Sequence, residues 1–250
     1  MKTLKLIIIG IFILLANLTF AQIDSSSTNA TPPPRTSQEY QKLRLGIYGD
    51  FGFSYLKPKS KSFESKGVRG SYAYGLLVDI NFTHNYTFST GVKYASYGGK
   101  MDFNDTVSVD GDRKDGLMLR KYRVNYLEIP LALKMKTNQM GYITPFVQLG
   151  LHNGFRLSAD NDDEFTFGSS TLTSEGNDYM NNTSFYRLSL EFSIGAEYEI
   201  SQSFSAFALL SFHNGLTNSI NGSAYDWENE TGIKESAMFK KFALTIGFLF

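Results

Sequence analysis

The stretch VNYLEIPLALKM, from Val124 to Met135, limits the possible folds of this chain more than any other part of the sequence. From Leu127 onward the odd positions are large and apolar, whereas the even positions hold glutamate, proline, alanine and lysine. This period of two predicts a β-strand with one apolar face. In water that face needs a second protein layer to cover it, but in a lipid bilayer it needs no further cover.

The same alternation recurs in eight segments, which begin near residues 42, 71, 86, 124, 141, 186, 204 and 238. A tilted strand crosses the hydrocarbon layer in about nine to eleven residues, and we expect all eight segments to be long enough. Short turns are predicted around residues 83–85, 137–140 and 201–203, and long polar loops over residues 98–121, 156–184 and 214–235. Short and long connections therefore alternate, as in a bacterial outer-membrane barrel.

A soluble, lipocalin-like barrel with the apolar face inward is the alternative fold. An eight-stranded lumen is only wide enough to be filled by side chains, so a full set of Phe, Tyr and Leu would crowd it. The second face of these strands instead carries Gly, Ala, Ser and charges of both signs. The prediction is therefore an all-β, eight-stranded antiparallel up-and-down transmembrane β-barrel with short periplasmic turns and long extracellular loops.

Charged residues on the second face are predicted to fill the lumen with ion pairs, which favours a plugged barrel over an open pore. They are Arg44, Asp50, Asp79, Lys93, Glu128, Lys134, Arg187, Glu191 and Glu197. Glu128 is expected to pair with Arg44, Lys93 or Arg187. Pro130 removes a ladder donor, and the apolar parity changes from even to odd between Tyr126 and Leu127, so we expect a bulge near Tyr126.

The N-terminal segment predicts export. Residues 1–21 combine Lys2 and Lys5, an apolar run from Leu6 to Leu15 and a small-residue cleavage site at Ala21, which is typical of a secretory signal. The run is too short to span a bilayer as a helix, and a retained anchor is the alternative. Residues 22–41 are predicted to be a disordered periplasmic lead, and residues 42–250 the barrel, in the outer membrane of a Gram-negative bacterium.

Composition excludes several function classes. The chain has no cysteine, which rules out disulfides, a thiol nucleophile and cysteine-ligated zinc. Lysine plus arginine and aspartate plus glutamate both number 24, so loss of the two signal lysines leaves 22 against 24 and no basic surface for nucleic acid. Outer-membrane lipid and, through the C-terminal strand, the barrel-insertion machinery are the expected partners, with other envelope or secretion proteins as further candidates. No cofactor is expected.

Two histidines suggest a site at the extracellular rim. His152 and His213 have lumen parity near the tops of their strands, and with Asp160, Asp162 or Asp163 they could support hydrolytic or acyl-transfer chemistry. Plain polar surface is the favoured interpretation, so no catalytic, cofactor-binding or metal-binding residue is assigned.

Three aspartates before Gly116 resemble a calcium loop, but Asp110, Asp112 and Asp115 miss the EF-hand spacing by one position. A solvated charged loop is the favoured interpretation.

The sequence resembles the outer-membrane β-barrel family common in Bacteroidota, which includes PorT-type proteins. The residues that carry the resemblance are Tyr126, Leu127, Glu128, Ile129, Pro130 and Leu131 in the fourth strand, Gly215, Leu216, Thr217 and Asn218 after the seventh, and the terminal Phe250. It extends from about Leu43 to Phe250. The family often has arginine and tyrosine near the end of the seventh strand, where this chain has Ser211 and Phe212, so the resemblance does not extend to that arginine.

The resemblance implies an outer-membrane barrel, and its PorT-type members are linked to type IX protein secretion and gliding. Our hypothesis is a non-enzymatic barrel with a structural or binding role through its extracellular loops. The alternatives are a PorT-like accessory of type IX secretion and a rim-located outer-membrane enzyme.

Overall fold

The computed structural model describes residues 41–109, 111–227 and 231–250. The predicted signal segment and nearly all of the predicted lead lie outside these residues. The strands are β1 (Leu43–Pro58), β2 (Phe63–Asn81), β3 (Tyr86–Val109), β4 (Asp112–Lys136), β5 (Ile143–Phe167), β6 (Ser170–Asp178), β7 (Tyr186–Ser201), β8 (Phe204–Gly215), β9 (Ser223–Asp226), β10 (Thr231–Lys234) and β11 (Ala237–Leu249). A single 3-10 turn, Met180–Asn182, precedes β7.

Eight of these strands form a closed antiparallel ring in the order β1, β2, β3, β4, β5, β7, β8 and β11. The ring closes where β11 pairs with β1, from Gly46 opposite Leu249 to Pro58 opposite Ala237. Closure satisfies the backbone groups of both edge strands, so the ring has no open edge. The predicted eight-stranded up-and-down barrel is confirmed.

The barrel carries its apolar side chains on the outside. In β4, Leu127, Ile129, Leu131 and Leu133 are 37–42% exposed, whereas Glu128, Ala132 and Lys134 between them are buried. An apolar side chain left in water forgoes about 1.5–3 kcal/mol relative to burial, so a belt of such residues requires lipid around it. No helix among the described residues is long and apolar enough to cross a membrane.

Two predicted loops are wrong, because the strands continue beyond the apolar belt. β3 and β4 stay paired through residues 98–121 to Val109 opposite Asp112. β5 runs on to Phe167, and β6 returns beside its upper half. We call this projecting part of β3, β4, β5 and β6 the loop-end sheet, and the opposite end, with its connections at residues 82–85, 137–142 and 202–203, the turn end. Polar and charged residues interrupt both faces of the loop-end sheet, so it lacks the continuous apolar alternation that marks a membrane strand.

The predicted change of parity in β4 is also wrong. Even-numbered residues from Arg120 to Lys134 all face the lumen, which is aromatic at the height of Tyr122 and Tyr126. The pairing of β4 with β5 does have an irregularity between Asn125 and Tyr126. The extra residue, however, is Leu157 of β5 and not a residue of β4.

Pro130 interrupts the other side of the β4 ladder. The β3–β4 pairing passes from Lys93–Glu128 to Thr90–Leu131 with no paired residues between them and without a register shift. The proline ring has no N–H to donate, so the ladder opens locally while the alignment of the two strands is kept.

Candidate functional site

The lumen contains successive layers of side chains, and the first is an ionic cluster at the turn end. Lys134 Nζ donates to Asp79 Oδ2 at 2.7 Å and to Glu197 Oε1 at 3.1 Å. Arg44 and Lys136 each lie 3.0 Å from Glu197 Oε2. Five charged side chains from β1, β2, β4 and β7 therefore meet at one height, four of them predicted from the sequence.

Apolar side chains pack around this ionic cluster. Phe146, Phe207, Leu209 and Leu249 form a buried group inside the barrel. Lys134 Nζ lies 4.9 Å from the centre of the Phe146 ring, which adds a cation–π contact to its two ion pairs. The turn end of the lumen is thus occupied by rings as well as by charges.

A second ionic layer lies in the middle of the barrel. The Glu128 carboxylate sits between Lys93 Nζ at 3.2 Å and Arg187 Nη1 at 2.7 Å, and all three side chains are at most 2% exposed. Lys241 pairs with Asp50 at 2.7 Å at the same level. Two of the three expected partners of Glu128 are present, whereas Arg44 pairs with Glu197 instead. Lys241 was missed, although its lumen parity in β11 could have identified it.

The same layer contains the residues His152, Glu191 and His213, which we call the histidine cluster. His152 Nε2 hydrogen bonds with the Glu191 carboxylate, and His152 Nδ1 lies 3.5 Å from Glu128 Oε2. Glu191 is directly opposite His213 in the β7–β8 ladder. The two imidazole rings are 4.8 Å apart at 89°.

The two histidines therefore approach each other as predicted, but the predicted rim location is wrong. His152 is 3% exposed and His213 1% exposed, inside the barrel. Asp160 follows His152 by eight residues on β5, which is about 26 Å at roughly 3.3 Å per residue. The histidines lie deep because β5 continues to Phe167, far beyond its predicted end near residue 155. The predicted partnership with the aspartates of the loop-end sheet is therefore wrong.

An aromatic layer covers the mid-lumen charges on the side of the loop end. Tyr97, Tyr126 and Phe239 pack together, with ring centres 5.6 and 5.8 Å from Tyr97. The Arg187 guanidinium lies 4.2 Å from the centre of the Tyr97 ring, and Lys241 Nζ lies 5.2 Å from it. This layer was missed, because the even-numbered tyrosines of β4 were interpreted as a parity change.

Above the aromatic layer, a third polar cluster lies beyond the apolar belt. Arg120 binds Asp163 through two hydrogen bonds of 2.7 and 3.0 Å and donates to Tyr179 OH at 3.1 Å. The hydroxyls of Tyr122 and Tyr179 donate to the Glu235 carboxylate. Burial raises the pKa of Glu235 to about 7, although neighbouring Arg120 acts in the opposite direction.

The mouth of the barrel is covered by the β9–β10 hairpin. Phe63, Phe103, Met118 and Phe165 form a small core, against which Ala224 and Ile233 of the hairpin pack. The backbone N–H of Tyr225 donates to Asp105 Oδ1 at 3.1 Å. The connection from β8 to β11 is therefore docked onto the loop-end sheet.

The acidic residues considered for calcium have protein partners. Asp112 lies 3.6 Å from Lys114 Nζ, and Asp115 accepts a hydrogen bond of 2.6 Å from Thr106 Oγ1. Asp110 lies outside the described residues. These contacts place Asp112 and Asp115 on β4 of an ordinary charged hairpin.

The residues that carry the family resemblance lie in β4, at the end of β8 and at the closing pair of strands. Glu128 and Pro130 face the lumen from β4. Gly215 ends β8, and Thr217 Oγ1 accepts a hydrogen bond of 2.9 Å from Leu188 N–H. Phe250 N–H donates to the Leu45 carbonyl at 2.8 Å and so extends the closing pair of strands.

A closed eight-stranded ring with an apolar exterior and a polar lumen is the architecture of an outer-membrane protein. The sequence model of the outer membrane protein β-barrel domain matches residues 20–221. The chain belongs to this family. Its location is accordingly the Gram-negative outer membrane. No curated protein matches the sequence.

Solved structures similar to this chain are also outer-membrane barrels. Neisserial surface protein A is 10% identical, with 83% of this chain and 96% of that chain covered and a TM-score of 0.41. Outer membrane protein OprG from Pseudomonas aeruginosa is 14% identical, with 85% and 97% covered and a TM-score of 0.42. The outer membrane protease OmpT from Escherichia coli is 11% identical, with 88% and 99% covered and a TM-score of 0.40.

Proposed function

We propose that this protein is a non-enzymatic outer-membrane barrel with a side-chain-filled lumen, and that it has a structural or binding role through its loop-end sheet. The observation that carries the proposal is the sequence of layers inside the barrel. Ionic, aromatic and again ionic side chains follow one another from the turn end to the mouth, where the β9–β10 hairpin is docked.

The ion pairs support a lumen that does not conduct. An ion that crosses the mid-lumen must separate Glu128 from Lys93 or Arg187, all of which are buried. Loss of one partner from a buried pair costs about 3–5 kcal/mol. The packed rings of the aromatic layer add a steric barrier to a hydrated ion.

The loop-end sheet supplies surface for a protein partner. It exposes Leu117, Leu157 and Leu172, which are 44–49% exposed. The residues of β6 are almost all exposed. Apolar side chains set among charges are typical of binding surfaces, and the expected partners are other envelope proteins.

Reconstitution into planar lipid bilayers tests the filled lumen. The wild-type protein is expected to give no stable conductance steps. The double variant Tyr97→Ala with Phe239→Ala, which lacks two rings of the aromatic layer, is the control that shows whether the assay detects a wider lumen. Stable large conductance in the wild type would refute the proposal.

Export by a cleaved signal predicts that the mature protein, sequenced from its amino end, begins at Gln22.

A PorT-like accessory role in type IX protein secretion is the second candidate function. It is supported by the YLEIPL string in β4, which is fairly specific to the family that includes PorT-type proteins. Deletion of the gene in its host is expected to block secretion or gliding on this hypothesis. Normal secretion and motility in the deletion strain would remove it and leave the first proposal in place.

A further inference from the structure

We propose that the histidine cluster binds one divalent transition-metal ion, and that Zn²⁺ is the ion its donors suit best. Among the described residues, His152, Glu191 and His213 form the group of side chains that could hold a metal ion, and all three are buried. Two imidazoles and one carboxylate, with a water as fourth ligand, make a recognised zinc donor set. This site is independent of the proposed role of the loop-end sheet.

The three donors come from neighbouring strands and converge on one point. Their ligand atoms all lie within 4.8 Å of one another. A tetrahedral Zn²⁺ with bonds of about 2.1 Å needs donors about 3.4 Å apart, so small side-chain rotations complete the geometry without backbone movement.

Gly150 provides space for the carboxylate. It faces Glu191 across the β5–β7 ladder, and a Cβ at this position would lie 3.4 Å from Glu191 Oε2 and 2.8 Å from the Cβ of Ala132. The absence of a side chain at Gly150 lets the carboxylate extend over β5 toward His152.

The outer contacts of the two imidazoles suit metal ligation. His152 directs Nε2 toward Glu191, while its Nδ1 lies 3.5 Å from Glu128 Oε2. A metal-bound histidine commonly presents its second ring nitrogen to a carboxylate in this manner. His213 has Nε2 3.2 Å from Ser211 Oγ, and its buried Nδ1 has no hydrogen-bond partner in the described structure. That nitrogen is available for an ion.

The surrounding charges set the expected strength of binding. Lys93 and Arg187 share Glu128, and Lys241 pairs with Asp50, so Glu191 is the carboxylate left to the ion. With neutral imidazoles the three cations and three carboxylates cancel. The ion is then held by its ligand bonds and not by a negative field, which predicts micromolar affinity and not the tighter binding of thiolate sites.

An internal cavity adjoins the cluster and can supply the fourth ligand. It is lined by His152, Glu191 and His213 together with Lys93 and Gln148, and its volume of about 40 Å³ has room for at least one water molecule. Water in this space could complete the coordination shell.

Zinc titration of the full-length mature barrel, purified in detergent without a histidine tag and stripped with a chelator, tests the proposal. Wild type is expected to bind one equivalent of Zn²⁺ by competition with a chromophoric chelator. His152→Ala and His213→Ala are each expected to weaken binding roughly 100-fold or more. His84→Ala, which changes the third histidine at the turn end, is the matched control and is expected to bind as wild type does.

Two results would overturn the proposal: no binding by wild type, or binding that both lumen substitutions leave unchanged. Heat-dependent gel mobility checks that each variant folds. If a variant does not fold, Co²⁺ added to the wild-type barrel decides the question. A visible absorption band of four-coordinate Co²⁺ that Zn²⁺ removes supports the site, and its absence refutes it.

Discussion

Glu128 is the residue on which most of the mid-lumen contacts depend. It is fully buried, binds Lys93 and Arg187, and approaches His152. The sequence identified it by parity alone, because a charged residue at an inward position between two lipid-facing residues must be paired. From the sequence its partner could be predicted only as one of three cations. The alternation shows which side chains face the lumen but does not show at what depth along the barrel axis each one lies.

Glu128→Gln is expected to destabilise the barrel by about 3 kcal/mol or more, because Lys93 and Arg187 then share a buried site without a counter-charge. Urea unfolding in lipid vesicles measures the change. The folded fraction is read from the gel band of the unheated barrel, which migrates differently from the heated, unfolded protein. Glu64→Gln is the matched control, since Glu64 lies 3.4 Å from Lys66 with 74% of its side chain exposed. An exposed pair contributes at most about 1 kcal/mol. Equal effects of the two substitutions would contradict the buried-pair account.

Glu235 makes the docking of the β8–β11 connection dependent on pH. Its pKa is raised by burial from the usual 4.5 to about 7, so the folded state holds the proton more tightly than the unfolded state. Docking is therefore strongest below about pH 4.5, weakens as the pH rises, and levels off above about pH 7. Arg120, Tyr122 and Tyr179 are the groups that face the carboxylate.

Limited proteolysis of residues 216–236 at pH 5.5 and pH 8.5 measures this effect. The cleavage rate at each pH is divided by the rate at which the same protease cuts an unfolded peptide. For the wild type this ratio is expected to be higher at pH 8.5 than at pH 5.5. Glu235→Gln mimics the protonated acid and is expected to lose the difference. A wild-type rate independent of pH would show that Glu235 does not titrate in this range.

The strands differ in how far their sequences predict them. The eight membrane segments were found because lipid outside and charges inside give a strong period of two, as in β7 and β11. The loop-end sheet was not found, because polar and charged residues interrupt the apolar alternation in its strands. The same missing signal moved the apparent top of β5 downward and placed the histidines at a rim.

The loop-end sheet is expected to be separable from the barrel below it. Replacing residues 104–117 by Asn-Gly joins Phe103 to Met118, which are already paired, through a two-residue turn. The membrane ladder is unchanged, so the shortened protein is expected to keep its heat-modifiable band.

The β9–β10 hairpin, however, loses Asp105 as the acceptor for Tyr225 and the packing of Val107. Faster cleavage of residues 216–236 in the shortened protein is therefore expected. Loss of the folded band would show instead that the projecting hairpin is required for barrel formation.

The whole molecule has the interior and exterior of a water-soluble protein exchanged. Its charges are buried in pairs, and its large apolar side chains face outward around the full ring. Each strand of the closed ring is hydrogen-bonded to a neighbour on both sides. Side chains fill the lumen at several heights. The lipid-facing side of β4 was deduced from one face of the segment Val124 to Met135, and the same segment contributes Tyr126, Glu128 and Lys134 to three lumen layers.

Site-directed spin labelling of this segment tests the account most directly, because the chain has no cysteine of its own. Single cysteines at residues 127–134 are labelled in lipid vesicles, and collisions with oxygen and with a water-soluble nickel complex are measured. High oxygen and low nickel accessibility are predicted at the odd positions, with both low at the even positions. Odd positions that collide freely with the nickel complex, or no alternation at all, would contradict a lipid-facing barrel with a filled lumen.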